Sequence, residues 1–147
     1  RGETVGRAES CTGGLIGSLV TRVPGASEVF WGGAVSYCDT AKQRLLGVSA
    51  HNLQIHGAVS EQVAREMAVG ARALAGTVWA LAVTGIAGPG GATPEKAAGS
   101  VWLAVAGGHA GTRFHQFDGD REAVRMSAAR EALEWLLRLT ARGKGNQ

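Results

Sequence analysis

Ser10, in the run Ala8-Glu9-Ser10-Cys11-Thr12-Gly13-Gly14, is the strongest candidate for chemistry in this chain of 147 residues. Thr4 to Ala8 reads as a short strand, and Leu15, Ile16, Leu19 and Val20 recur at helical spacing. Between strand and helix, small polar side chains sit where unpaired N–H groups and the helix dipole favour negative charge. Such a site binds an anion, or stabilises the oxyanion formed when Ser10 attacks a carbonyl. An ordinary helix cap uses the same residue types, because Ser and Thr are preferred there and glycine permits a tight turn. Cys11 is a rival nucleophile, since a helix N-terminus lowers a thiol pKa, or else a small packing residue beside Ser10.

Amide hydrolysis needs a nucleophile, a base, oxyanion donors and a proton for the leaving amine. His51, His56, His109 and His115 all fall away from the expected strand ends. Lys42, in the first turn of a helix after a neighbouring strand, is better placed. Ser–Lys pairs work when burial or nearby charge keeps some lysine neutral. Tyr37, at the same strand end, can relay or accept the proton. The bland alternatives are a solvated lysine and a packing tyrosine. The loop Thr84 to Gly91 holds four glycines and no Walker lysine, so it is not a P-loop. Its N–H groups can approach a phosphate or a planar ring, or it is simply a long turn. His51 and His56 are five apart with no carboxylate cluster, so no metal and no cofactor is called for.

These residues need elements that bring them together. Val78 to Val83 is a continuous apolar run, expected as a central strand buried on both faces. Ser27 caps a turn carrying Val29, Phe30 and Trp31, Gly32-Gly33 punctuates, and Ala34 to Tyr37 forms a second strand. Asp39 or Thr40 caps a helix with Lys42, Leu45 and Leu46, stopped by Gly47. Residues 48–59 read as a connector with one short turn. Ser60 opens a helix whose Val63, Met67, Ala71 and Leu74 share a face, ended at Gly76. Val101 to Val105 and Arg113 to Phe117 form a hairpin around Gly107 to Gly111. After Asp118-Gly119-Asp120 a last helix turns Val124, Ala128, Leu133, Leu136 and Leu137 inward, and Arg142 to Gln147 is a polar tail.

This order predicts one α/β domain over residues 1–147: a layered α/β/α domain with a mixed, mostly parallel sheet and helices on both faces. Ligands bind such sheets at the carboxyl ends of parallel strands. The loops 10–14, 37–42 and 84–91 all follow strands. That coincidence favours an active site over a cap.

Composition sets the outer bounds. With 45% hydrophobic and 18% charged residues the chain is globular, and 23 glycines are about twice the average share. A net charge of +3, dispersed along the chain with 5% aromatics, gives no nucleic-acid footprint. Two cysteines without a C-x-x-C suit a reducing cytosol, hence a cytoplasmic location. No apolar run is long enough to span a bilayer, so no membrane partner is expected. The chain opens almost at a strand, and a preceding helix or further domain is an open expectation.

A-E-S-C-T-G-G at 8–14, G-G-A-V-S-Y at 32–37, K-Q-R-L-L-G-V at 42–48 and H-G-A-V-S at 56–60 occur in that order. A-V-T-G-I-A-G-P-G-G at 82–91, P-E-K at 94–96, G-S-V-W at 99–102 and G-D-R at 119–121 follow. From about Thr4 to about Leu139 these motifs together resemble the nicotinamide-nucleotide amidase family, the carboxy-terminal domain of the competence-damage-inducible protein CinA. The resemblance implies metal-independent hydrolysis of the carboxamide of nicotinamide mononucleotide, giving nicotinic acid mononucleotide and ammonia. It implies Ser10 as nucleophile with Tyr37 and Lys42 as activating groups, and substrate contacts from Thr84 and the loop Gly85, Ile86, Ala87 and Gly88. N–H groups near Thr12, Gly13 and Gly14 would hold the oxyanion, and Arg121 the phosphate. An arginine at the positive end of a helix is mildly unfavourable, which supports a ligand role.

Arg7, where relatives carry a small or hydroxyl residue, departs from the pattern and offers another phosphate contact. Homo-oligomers are expected from the resemblance, with Phe30, Trp31 and the last helix as interface candidates. A non-catalytic pyridine-nucleotide-binding or regulatory domain is the alternative reading, and a DNA-associated factor the weakest.

Overall fold

Bulky and small side chains alternate along β3 (Trp79–Gly85), and that alternation decides how closely helices approach the sheet. Trp79, Leu81 and Val83 enter one core, Ala80 and Ala82 the other. β4 (Ser100–Ala106) repeats the pattern, with Val101, Leu103 and Val105 against Ala104 and Ala106. The computed structural model describes residues 2–142. With β1 (Val5–Glu9), β2 (Phe30–Val35) and β5 (Gly111–Gln116), these strands form one sheet of order β2-β1-β3-β4-β5. β1 pairs in parallel with β2 and β3, whereas β3–β4 and β4–β5 are antiparallel. The sheet is the mixed α/β arrangement expected from the order of elements.

Helices cover both faces. On the bulky side lie α1 (Leu15–Val20) and α5 (Arg121–Arg142), the latter contributing Val124, Ala128, Ala132 and Trp135. On the small side lie α2 (Asp39–Leu46), α3 (Ala50–His56) and α4 (Glu61–Ala75). α4 meets the alanine rows of the sheet with Ala64, Ala68 and Ala71, flanked by Val63 and Met67, all buried. Small against small lets helix and sheet pack at close range without voids. Each buried Val, Leu or Met adds about 1.5–3 kcal/mol. The Ser60 hydroxyl accepts the Val63 N–H at 3.3 Å to start α4, and Gly76 at φ 65° ends it. Ser49 caps α3 in the same way, giving a seven-residue helix within the expected connector.

Phe30 and Trp31, expected in a turn, open β2, and Gly32 and Gly33 lie inside that strand. The reason is the approach of β1. At Gly33, φ is 152° and a Cβ would lie 1.9 Å from the Arg7 carbonyl oxygen, so only glycine allows the two backbones to meet. β3 begins one residue later than expected, leaving Val78 exposed, and continues through Thr84 and Gly85. Leu74 and Leu137, expected in core-facing stripes, are 48% and 67% exposed. The α4 stripe runs on through Ala75, against Gly6, and the α5 stripe through Ala132 and Trp135. α2 is capped by Cys38 without a side-chain bond, with Asp39 as its first residue. Arg142, expected to begin the polar tail, closes α5, and residues 143–147 lie outside the described residues. No helix among the described residues is long and apolar enough to cross a membrane.

Candidate active site

Because β1, β2 and β3 are parallel, their carboxyl ends deliver three loops to one edge of the sheet. Ser10 follows β1 directly, and its N–H donates to the Val83 carbonyl at 3.0 Å, while the Ser36 N–H donates to the Glu9 carbonyl at 2.8 Å. The strand ladders therefore fix both backbones that surround the nucleophile candidate. α2 starts at the next loop and carries Lys42 inward from its first turn. Lys42 Nζ donates to Ser10 Oγ at 2.9 Å, to the Ser36 carbonyl at 2.8 Å and to the Tyr37 carbonyl at 3.4 Å.

Lys42 is 1% exposed and makes no ion pair among the described residues. Burial pushes its pKa below the usual lysine value, opposed in part by the nearby Asp39 and, more weakly, by Cys38 and Cys11. A neutral amine has two N–H donors and one lone pair. In that form the two N–H groups serve the Ser36 and Tyr37 carbonyls, and the lone pair faces Ser10 Oγ, whose hydroxyl becomes the donor of that contact. The ammonium form instead donates to all three. α4 holds α2 in place: at Gly70 a Cβ would lie 1.9 Å from the Leu46 carbonyl oxygen, so this helical glycine sets the distance between the two helices.

The amino end of α1 is arranged differently from the expectation. Glu9, fully buried, accepts the N–H groups of Ile16 at 2.8 Å and Gly17 at 3.2 Å. Arg7 Nε lies 2.6 Å from the same carboxylate. The positive end of α1 is thus answered by the chain's own Glu9 and not offered to a ligand. Arg7, read from sequence as a further phosphate contact, belongs to this pair and does not line the cleft.

Thr12, Gly13 and Gly14 do not line it either, and the Gly13 N–H is spent on the Ser10 carbonyl at 3.0 Å, closing a tight turn. Cys11 does line it, and its N–H donates to no carbonyl or carboxylate among the described residues. Its thiol is a poor nucleophile: burial raises its pKa to about 11.

The cleft holds about 390 Å³, within the range of small-molecule sites. Ser10, Cys11, Tyr37, Lys42, the whole stretch 84–91 and Arg121 line it. The Thr84 hydroxyl donates to the Ala58 carbonyl at 2.8 Å, which ties the end of β3 to the segment before α4. Gly85 is required by crowding, since a Cβ there would lie 2.9 Å from the Ser100 carbonyl oxygen. Arg121 donates through Nη1 to the Gly88 carbonyl and through Nη2 to the Tyr37 hydroxyl, both at 3.0 Å. It joins the glycine loop, the β2–α2 loop and α5 at the rim.

Sequence reasoning missed Ala58 and Val59 as lining residues and Arg125 as a brace, and read Asp39, which also lines the cleft, only as a helix cap in a site loop. The H-G-A-V-S run at 56–60 was the available signal for Ala58 and Val59. Among the described residues no group of three or more His, Cys, Asp or Glu side chains could hold a metal.

Residues 1–140 match the CinA C-terminal domain family. A CinA-like protein of Anaeromyxobacter sp. (strain K) is 55% identical over 144 residues, covering 97% of this chain and 35% of that protein. One from Synechocystis sp. (strain ATCC 27184 / PCC 6803 / Kazusa) is 49% identical over 144 residues, covering 94% and 34%. The chain thus spans about a third of the length of the curated relatives it matches. Among solved structures, the competence damage-inducible protein A (ComA) from Klebsiella pneumoniae subsp. pneumoniae MGH 78578 superposes with a TM-score of 0.92. The two are 39% identical, over 96% of this chain and 88% of that one. The competence/damage inducible protein CihA from Agrobacterium tumefaciens gives 0.89 at 43% identity, over 95% and 86%.

Proposed function

The chain belongs to the CinA C-terminal domain family, and on that premise we propose that it is a serine amidohydrolase that deamidates nicotinamide mononucleotide. The observation that carries this reading is the 2.9 Å bond between Ser10 Oγ and the buried Lys42 Nζ at the cleft. A lysine without a counter-ion, pushed toward its neutral form, is what a Ser–Lys mechanism requires. The glycine loop supplies Ile86, Ala87 and Pro89 together with backbone amides, and Arg121 a cation, which suits a pyridine ring carrying a phosphorylated ribose. The two free cysteines suit a cytoplasmic enzyme. β2 ends the sheet with Trp31 55% exposed, an edge on which a second copy would pair in the expected homo-oligomer.

In this mechanism neutral Lys42 takes the Ser10 proton as Oγ attacks the carboxamide carbon. The carbonyl oxygen becomes an oxyanion and takes up the Cys11 N–H. Lys42, now an ammonium, returns the proton to the carboxamide nitrogen as the C–N bond breaks, and ammonia leaves. A water then attacks the Ser10 ester, giving its proton to Lys42. Collapse of that second intermediate returns the proton to Ser10 and releases nicotinic acid mononucleotide.

The test is ammonia release from nicotinamide mononucleotide with a metal chelator present, for wild type and Ser10→Ala side by side. Release by wild type alone is the expected result. Turnover surviving in Ser10→Ala ends the serine mechanism, and binding without release by wild type favours a sensing domain.

A further inference from the structure

Arg125 is not part of the cleft wall, yet its guanidinium reaches from α5 to the nucleophile turn. Nε donates to the Cys11 carbonyl at 3.1 Å and Nη2 to the Thr12 carbonyl at 3.0 Å. Its remaining contact is an ion pair with Glu122 at 2.8 Å, whose own side chain is 68% exposed. A surface ion pair of that kind is worth little. The two carbonyl bonds are the unusual feature, since a forked cation holds consecutive peptide units of one turn.

Those peptide units are connected to the cleft. The Thr12 carbonyl bound by Arg125 belongs to the same amide as the Gly13 N–H. That N–H donates to the Ser10 carbonyl at 3.0 Å. The Ser10 carbonyl, in turn, shares its amide with the Cys11 N–H, which has no carbonyl or carboxylate acceptor among the described residues and sits next to Ser10. A cation on one amide oxygen draws electron density through the unit and makes its N–H a stronger donor, and successive units pass the effect along. The second bond, to the Cys11 carbonyl, fixes the orientation of the middle peptide of the turn.

We propose that Arg125 is a positioning residue for amide hydrolysis, orienting and polarising the Cys11 N–H that receives the oxyanion. The inference rests on the amidase reading of the cleft. It predicts a loss in the chemical step with little change in substrate binding, because Arg125 acts on the turn and not on the ground-state substrate.

The experiment compares wild type, Arg125→Met, Arg125→Ala, Arg125→Lys and Glu122→Gln for ammonia release and for the rate at which a fluorophosphonate labels Ser10. Fluorophosphonate attack also builds an oxyanion, so it reads the turn without needing the natural substrate. Arg125→Met should lower kcat and labelling by about 10²-fold with KM within about threefold. Arg125→Lys, which keeps the charge but loses the fork, should fall between, and it carries the test if the methionine variant does not fold. Glu122→Gln should behave as wild type. Free guanidinium, well below denaturing concentration, should restore part of the rate to Arg125→Ala and none to Ser10→Ala.

Wild-type labelling rates in Arg125→Met, or in Arg125→Lys if only that variant folds, overturn the proposal. A parallel rise in KM that accounts for the whole loss does so as well. A wild type that takes label but releases no ammonia from the mononucleotide removes the substrate assignment alone, and the labelling series still decides the role of Arg125. A wild type that takes no label removes both.

Discussion

The Tyr37 hydroxyl accepts a bond from Arg121 at 3.0 Å, whereas Lys42 meets Tyr37 only through its backbone carbonyl at 3.4 Å. The side chain, 61% exposed, belongs to the rim and its carbonyl to the base. Tyr37→Phe should therefore raise KM by about tenfold, the worth of one hydrogen bond to a charged group, and leave most of kcat. Lys42→Met should remove about 10³-fold or more from kcat. Steady-state kinetics on both variants checks this. An equal loss of kcat in the two would make the tyrosine hydroxyl part of the proton path.

The pH profile follows from Lys42. Its pKa is lowered by burial, and only the neutral amine can take the Ser10 proton. Turnover should rise about tenfold per pH unit on the acid side and level off at a pH below about 10.4, the free-lysine value. Stability carries the same signature. Between the lowered folded pKa and about 10.4 the unfolded chain binds the extra proton, so stability rises with pH across that window. Below it the cost of the buried charge is constant. Chemical denaturation at several pH values should show that rise as the difference between wild type and Lys42→Met, since the raised Cys11 pKa contributes an opposite slope to both.

Gly70 lies in α4 and does not line the cleft, yet it should still control it. A methyl there meets the Leu46 carbonyl oxygen at 1.9 Å, so Gly70→Ala must push α2 away from α4. Overpacking of this kind costs about 1–3 kcal/mol. Since α2 carries Lys42, the variant should also lose turnover by more than its folded fraction explains. A denaturation curve paired with an activity measurement at a temperature where the variant is folded separates the two effects.

Ser10, Lys42, Tyr37 and the 84–91 loop were legible because strand-end loops of a parallel sheet converge, and the order of motifs revealed those loops. The helix dipole misled the reading of Thr12 to Gly14. Free N–H groups at a helix start are visible in a sequence, but a buried carboxylate arriving from the preceding strand is not, and Glu9 occupies that end of α1. Gly32 and Gly33 misled in the same way. Paired glycines usually end a strand, and only the closeness of Arg7 in β1 explains why they continue one. Arg125 was silent because nothing in the sequence ties residue 125 to residues 11 and 12.

The two cysteines should separate cleanly under native alkylation. Cys38 is exposed at the N-cap of α2, and the Thr40 hydroxyl, 3.2 Å from its sulfur, leads the contacts that lower its pKa. Cys11 is 6% exposed, with its pKa raised to about 11. Iodoacetamide at neutral pH should modify Cys38 first and leave Cys11 untouched until the chain unfolds, as peptide mass mapping would show. Early labelling of Cys11 would mean that the turn around Ser10 opens far more readily than its bonds imply.

Glu9 gives the sharpest stability prediction. Its carboxylate is fully buried, accepts two α1 amides and pairs with Arg7, whose side chain is only 13% exposed. Glu9→Ala leaves a buried guanidinium without its partner and two orphan N–H groups at the start of α1. Breaking a buried pair from one side costs about 3–5 kcal/mol, far more than the pair adds relative to an apolar substitute. Replacing both partners removes the stranded charge, so Arg7→Leu in the Glu9→Ala background should recover a large part of the loss. Urea unfolding of the two single variants and the double variant measures the coupling directly. A strictly additive double variant would mean that the Arg7–Glu9 contact contributes nothing, and that Glu9 acts on α1 alone.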